Sequence, residues 1–276
     1  MQIIGLSQQD FRLFQSFINR KTGIFFDERK KYFLESRISA RMEEYNLQSP
    51  REYWQMINQD SEELSVFIET ITIPETYFFR DYPQLKMFAE DILPLVCEAK
   101  RKVHRKSLRI WSAGCSTGEE PYTLAIILLE MIEDFHTWMI DIIGTDINTR
   151  SLKRCREAVY GPRSLKDVPV EYRKKYFISF DTHYAIKPEV KKIVRFDYLN
   201  LTDRRKMQLM RGFDFIFCRN VLIYFDFENS KRVISYFYDA LNKGGYIFLG
   251  SSESISRLSA AFKLVRFKNG LAYMKE

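Results

Sequence analysis

The apolar positions of the chain change period part-way along it. Through the first hundred residues the spacing is helical: after Ser7, residues Phe11, Leu13, Phe14, Phe17 and Ile18 recur as they would on one side of an amphipathic helix. Asp27 opens a second helix, with Tyr32, Phe33, Ile38 and Met42 expected on its apolar side, and two short helices are predicted over 52–57 and 62–71. The stretch TIPETYFFRD, 72–81, breaks the pattern. Pro74 argues against helix there, and the clustered Tyr77, Phe78 and Phe79 are expected to be largely buried. A helix over 82–99 and a basic linker over 100–106 follow. From Leu108 onward short apolar runs alternate with helical segments. Strands are predicted over 108–111, 139–144, 193–196, 213–218 and 246–250, which implies a mainly parallel sheet. Segments 262–267 and 271–274 flank Lys268-Asn269-Gly270, where Asn-Gly suits a hairpin turn. A polar, basic insertion, about 160–192, carries β-like pieces over 177–180 and 183–186. The expected architecture is an α/β, doubly wound, mainly parallel sheet closed by an antiparallel hairpin. A small all-α domain (1–72) and a linking segment (73–106) precede it, and 107–276 carries the small inserted β-subdomain.

The first strand runs into SAGCSTGEEPY, 112–122, and then into a helix predicted over 122–132. Gly114 and Gly118 allow a sharp turn and a close backbone approach to a ligand, and Pro121 suits the first turn of the helix. Strand, glycine turn and helix together read as a nucleotide-binding opening or, since the strict G-x-G-x-x-G spacing is absent, as a tight strand-to-helix turn with no ligand. The two acids narrow the ligand. A pyrophosphate at this helix start would be repelled by Glu119 and Glu120, whereas a ligand bearing an ammonium and a sulfonium, such as S-adenosylmethionine, would gain from a carboxylate. Asp146, after the second strand, is placed either to hold ribose hydroxyls or to cap the helix that begins near Asn148. A parallel sheet ending in an antiparallel hairpin is the arrangement of S-adenosylmethionine-dependent methyltransferases.

Composition adds bounds. The 276 residues are 46% hydrophobic and 15% aromatic, enough for a sizeable core and for roughly two domains. Cys97, Cys115, Cys155 and Cys218 show no metal-ligand spacing and read as reduced thiols, so no metal is expected. The start has no signal-peptide pattern and no window approaches a membrane span, so a cytoplasmic protein without membrane insertion is expected. The net charge of +7, from 43 basic and 36 acidic residues, admits an acidic partner of any kind, nucleic acid included. Only three histidines are present, none in a motif, which disfavours histidine chemistry. Lys30, Arg37 and Arg41 fall on one face of the second helix, either as a docking surface or as a solvated face. Arg80, at the end of an aromatic segment, is either a site residue or half of an ordinary ion pair.

Taken together, ETYFFRD, WSAGCSTGEEPY, GTDIN, FDYLNLTD, FDFIFCRNVLIYFD and GGYIFLGSSES resemble the chemotaxis receptor glutamate O-methyltransferase family, in the family's order and over nearly the whole chain. The resemblance implies a class I methyltransferase fold, S-adenosylmethionine as donor, S-adenosylhomocysteine as product, and receptor glutamates as acceptors. By motif, Thr76 and Arg80 would face cofactor and substrate, Glu120 the methionine ammonium, Asp146 the ribose, and Asn200 with Leu201 the adenine. Arg219, Asn220 and Tyr224 would line the remaining wall, with Arg80 and Tyr224 positioning the acceptor. One departure is Pro74, where the family commonly has Asn. The implied partners are the cytoplasmic helices of methyl-accepting chemoreceptors, met by a monomer through Lys30, Arg37 and Arg41. Some members also grip a receptor peptide tether through a glycine-rich loop of the insert; 177–187 contains no glycine, which predicts tether-independent recognition. The rival readings are a nucleic-acid methyltransferase, for which a D/N-P-P-Y-like block is missing where RNVLIYF stands, and a non-catalytic cofactor-binding signalling module.

Overall fold

The computed structural model describes residues 4–276. Its N-terminal part is a helical cluster whose boundaries follow local chemistry. Helix α1, Gln8–Thr22, starts where the Ser7 hydroxyl accepts from the Asp10 N–H at 3.1 Å and ends at Gly23, whose φ of 80° is the left-handed cap that glycine tolerates. After a 3-10 turn, Glu28–Lys30, comes α2, Lys31–Glu44. Helix α3, Pro50–Gln59, opens on a capping box between Ser49 and Glu52 with proline in its first turn; α4, Ser61–Ile71, is capped by Asp60. Phe11, Phe14, Phe17, Leu34, Ile38 and Phe67 are among the side chains that close one core between these helices.

Two expectations for α2 fail here. Tyr32 is 67% exposed, because the buried stripe runs Leu34, Ile38, Met42 and a residue two positions before Leu34 points the other way. Arg41 lies seven residues after Leu34, on the buried stripe itself, and is 9% exposed.

Residues 72–81 cross to the second part without regular structure. Phe78 and Phe79 are buried as expected, whereas Tyr77 is only half-buried. The helix expected over 82–99 is a rod in three pieces: α5, Tyr82–Lys86, a π-helical turn, Met87–Ile92, and α6, Leu93–Lys102. The Leu93 N–H reaches back to the Phe88 carbonyl, and Pro94 follows at once without an N–H to give, which is where a helix widens. The first three residues of the expected linker, as far as Lys102, belong to the rod.

The sheet then builds from β1, Ser107–Ala113, through α7, Glu119–Met131, to β2, Met139–Asp146, and α8, Thr149–Glu157. Strands β3, Val159–Tyr160, β4, Phe177–Phe180, and β5, His183–Ile186, with helix α9, Val170–Tyr176, form the inserted subdomain. Its three-stranded antiparallel sheet has the order β3-β5-β4, so it recruits a strand that periodicity did not reveal. A short helix α10, Pro188–Lys191, leads to β6, Val194–Tyr198; then come α11, Arg204–Leu209, β7, Phe213–Cys218, α12, Phe227–Ala240, and β8, Leu241–Leu249. The hairpin is β9, Phe262–Phe267, and β10, Gly270–Lys275.

The main sheet has seven strands in the order β6-β2-β1-β7-β8-β10-β9. The first five are mutually parallel, and β10 is antiparallel to β8 and β9. This is the doubly wound class I methyltransferase sheet. The strand order reverses between β1 and β7, so a crevice opens at their carboxyl ends.

Candidate active site

Four segments at that crevice lie at the carboxyl ends of strands, and the irregular stretch 72–81 lines it beside them. Gly114 to Ser116 follow β1, Asp146 to Asn148 follow β2, Leu199 to Leu201 follow β6, and Arg219 to Phe225 follow β7. They line a cavity of about 480 Å³, roofed from the helical part by Thr22, Ile24, Phe26, Lys30 and Phe33. Thr76, Arg80, Gly114, Glu120, Asp146, Asn200, Leu201, Arg219, Asn220 and Tyr224 all line it. Of the three expected docking residues only Lys30 does, its ammonium 5.6 Å from the centre of the Tyr224 ring.

The turn after β1 explains the two acids. Gly118 has φ 96° and starts α7 at Glu119, three residues earlier than the apolar pattern suggested, so both acids sit in the first turn. They then diverge. Glu119 is 2% exposed and turns away from the cavity to accept from Thr117 and Ser164 at 2.6 and 3.0 Å. Glu120 faces it. One Glu120 oxygen accepts from the Ser112 hydroxyl at 2.6 Å, and the other lies 3.5 Å from the Arg219 guanidinium. Burial pushes the Glu120 pKa above the ordinary carboxylate range, and Arg219 with Ser112 offsets only part of that. Gly114, at φ 77°, has no room for a side chain: a Cβ there would come within 2.4 Å of Val221.

Asp146 accepts from the Ser116 N–H and the Asn148 N–H, each at 2.8 Å, and burial raises its pKa as well. The cap of α8 is Asn148, which receives the Ser151 N–H, so Asp146 is not the capping residue. Arg80 is flanked by two non-glycine residues in the left-handed region, Phe79 at φ 58° and Asp81 at φ 61°. Such a conformation costs about 1–3 kcal/mol per residue. The Phe79 ring is held in the core and its N–H by Thr123, which fixes the distorted turn. The Arg80 guanidinium donates to the Glu75 carbonyl at 2.8 Å, and its own carbonyl receives Arg219 at 2.5 Å.

Asn200 and Leu201 line the cavity, and the Asn200 side chain is also engaged within the protein. Its amide donates to the Lys21 carbonyl at 2.7 Å and its oxygen accepts from Thr202, so the side chain ties the end of α1 to the sheet. Tyr224 is tied across as well, since its carbonyl accepts the Phe25 N–H at 2.8 Å. Sequence reasoning passed over Glu253, whose carboxylate receives three backbone N–H groups from the loop after β7 and that of Gly250 after β8. An acid four residues past the end of β8, in Gly-Ser-Ser-Glu, was the available signal.

Two buried polar atoms on this wall, Ser116 Oγ and Arg219 Nε, have no partner within the protein. With the partly satisfied Glu120 they supply donors and an anionic acceptor together, which fits the zwitterionic methionine end of S-adenosylmethionine. Among the described residues no cluster of His, Cys, Asp or Glu could hold a metal ion.

Comparison with known proteins agrees with this geometry. Residues 74–271 match the family described as CheR methyltransferase, SAM binding domain, and residues 9–72 match CheR methyltransferase, all-alpha domain. The chain belongs to the CheR methyltransferase family. Its cofactor is S-adenosylmethionine and its activity is methyl transfer. Chemotaxis protein methyltransferase 2 of Vibrio cholerae is 38% identical over 280 residues, covering 100% of this chain and 96% of the relative. The chemotaxis protein methyltransferase of Vibrio parahaemolyticus is 34% identical, covering 99% of both chains. Chemotaxis protein methyltransferase 1 of Pseudomonas aeruginosa is 31% identical, covering 98% of this chain and 99% of the relative.

Proposed function

We propose that the chain esterifies glutamate side chains on the cytoplasmic helices of methyl-accepting chemoreceptors, forming glutamyl methyl esters and S-adenosylhomocysteine. The observation that carries this reading is the make-up of the cavity wall: the carboxylates Glu120 and Asp146, the side chains Arg80, Arg219 and Tyr224, and no histidine among the described residues that line it. A glutamate acceptor has a reference pKa of about 4.3 and is already a nucleophilic anion near neutral pH, so such a wall needs no general base. The chemotaxis methyltransferases among its relatives support chemoreceptors as the substrate.

S-adenosylmethionine supplies an electrophilic methyl group on a sulfonium. Glu120 meets the ammonium, Asp146 the ribose hydroxyls, and Asn200 with Leu201 the adenine. Thr76, Gly114, Arg219 and Asn220 complete the enclosure. Arg80 and Tyr224 hold the acceptor carboxylate in line, and their grip must stay moderate, because strong hydrogen bonds would lower its nucleophilicity. The helical roof excludes water.

Receptor recognition is assigned to Lys30 and Arg37 without Arg41, which is buried. The insert supports tether independence: β4 and β5 pair as far as Phe180 and His183, so only Asp181 and Thr182 turn between them.

The test is transfer of radiolabelled methyl from S-adenosylmethionine to membranes carrying unmethylated chemoreceptors. The label should sit on receptor bands and leave as methanol in mild base. Base-stable label, or label in nucleic acid, would overturn the reading. Arg80→Ala should lower turnover far more than cofactor affinity.

A further inference from the structure

The Glu253 carboxylate is the hub of the segment that carries Tyr224. Its Oε2 accepts from the Gly250 N–H at 2.7 Å and the Asn220 N–H at 2.8 Å; its Oε1 accepts from Val221 at 3.0 Å and Ile223 at 3.2 Å. Three of these donors, Asn220, Val221 and Ile223, belong to a segment that local sequence does not hold in place. Asn220 sits at φ 59°, and Leu222–Tyr224 is a single 3-10 turn, too short to fix its own position. Glu253 itself is anchored. Its N–H closes a turn on the Gly250 carbonyl at 2.9 Å, and Ile255, two residues on, is fully buried in the core beneath β8. The fit is tight, since a Cβ on Gly250 would lie 2.8 Å from Glu253 Oε2 and 2.9 Å from the Asn220 nitrogen.

We infer that Glu253 is a positioning residue for methyl transfer: its three-fold grip on the 220–223 backbone sets where the Tyr224 hydroxyl stands in the cavity. An anion receiving several backbone N–H groups holds a loop far more firmly than one neutral hydrogen bond does. The same grip seats Val221 against Gly114, so the segment closes on the cofactor turn. This inference rests on the proposed role of Tyr224 in holding the acceptor carboxylate.

The experiment is a double-mutant cycle on the full chain with Glu253→Gln and Tyr224→Phe, scored by turnover on receptor membranes with labelled S-adenosylmethionine. Gln keeps the size but turns an amide donor toward backbone donors. A misplacement of this kind costs up to about a hundred-fold in turnover. Glu253→Gln is expected to lower kcat ten-fold or more, to shift S-adenosylhomocysteine affinity much less, and to cost little further once Tyr224 is already Phe. Gly250→Ala, which pushes on the same carboxylate, should reproduce that signature. Additive losses, or a Glu253→Gln enzyme with normal turnover, would overturn the positioning role while leaving Tyr224 in place. A Tyr224→Phe enzyme with unchanged turnover would instead remove the role of Tyr224 and the inference with it. Failure of both Glu253→Gln and Gly250→Ala to give folded protein would make Glu253 a structural residue only.

Discussion

Two carboxylates, Glu63 in the helical part and Glu120 in the crevice, show how the same group serves opposite ends. Glu63 is 2% exposed and satisfied by the protein itself: Arg41 forks onto both its oxygens at 2.9 and 2.5 Å, and Tyr53 and Tyr45 donate at 2.7 and 2.8 Å. Burial alone would push its pKa up, but these hydrogen bonds reverse the effect and leave it below the usual range. Glu120 has one hydroxyl and a more distant guanidinium, and its pKa is raised. A fully satisfied buried charge holds helices together. One left short of partners is a binding group that awaits a cation.

The largest expected effect tests the first half of that contrast. Removing one partner of a buried ion pair strands the other, so Arg41→Ala should cost about 3–5 kcal/mol of stability in denaturant titration. Cofactor affinity per folded molecule should stay within error. A mild loss would mean that Arg41 is an ordinary surface charge after all.

Glu120→Gln should do the reverse. Loss of a charged partner for the ammonium weakens S-adenosylmethionine binding by about 1.5–3 kcal/mol, readable by calorimetry. The cofactor-free protein should become slightly more stable, because a neutral amide is easier to bury than a carboxylate.

The pH dependence sharpens the comparison. With its folded pKa raised above the ordinary 4.5, Glu120 contributes stability that is fully present below 4.5 and lost as pH rises through the folded value. The advantage of Glu120→Gln over the parent should therefore shrink as pH falls from neutral toward 4.5, and parent cofactor affinity should fall over the same window. Glu63, with its lowered pKa, contributes stability above 4.5 that is lost as pH falls through its folded value. A gap that widens on acidification would reverse the assignment of Glu120.

The smallest effect lies at the surface. Arg37→Glu should slow methylation in low salt by about 1 kcal/mol or less in kcat/KM, and the difference should vanish as salt rises. Indifference to salt would remove the charge-guided part of receptor docking.

Much of this was legible in the chain. Period and punctuation gave the helical start, the alternating sheet and the hairpin at Asn269-Gly270, since these depend on contacts a few residues apart. Gly114, Gly118 and the adjacent acids marked the ligand turn, because backbone conformation at a tight turn restricts residue type. Element ends were less legible. The two-residue strand Val159–Tyr160 exists only through its pairing with β5, and β8 extends from 246 back to Leu241 only through its register with β7.

What the sequence determined alone was the order of elements and the ligand-facing turn, both written in local spacing and local charge. Tertiary structure decided which charges are free. Arg41 and Arg37 are four residues apart and alike in sequence, yet one meets Glu63, 22 residues away, and the other meets solvent. Asn200 was claimed by Lys21, 179 residues away, and Glu253 found the Asn220 backbone 33 residues back. A side chain's role depends on whether its partners are protein or ligand, and partners so distant in sequence are fixed only when the chain has packed.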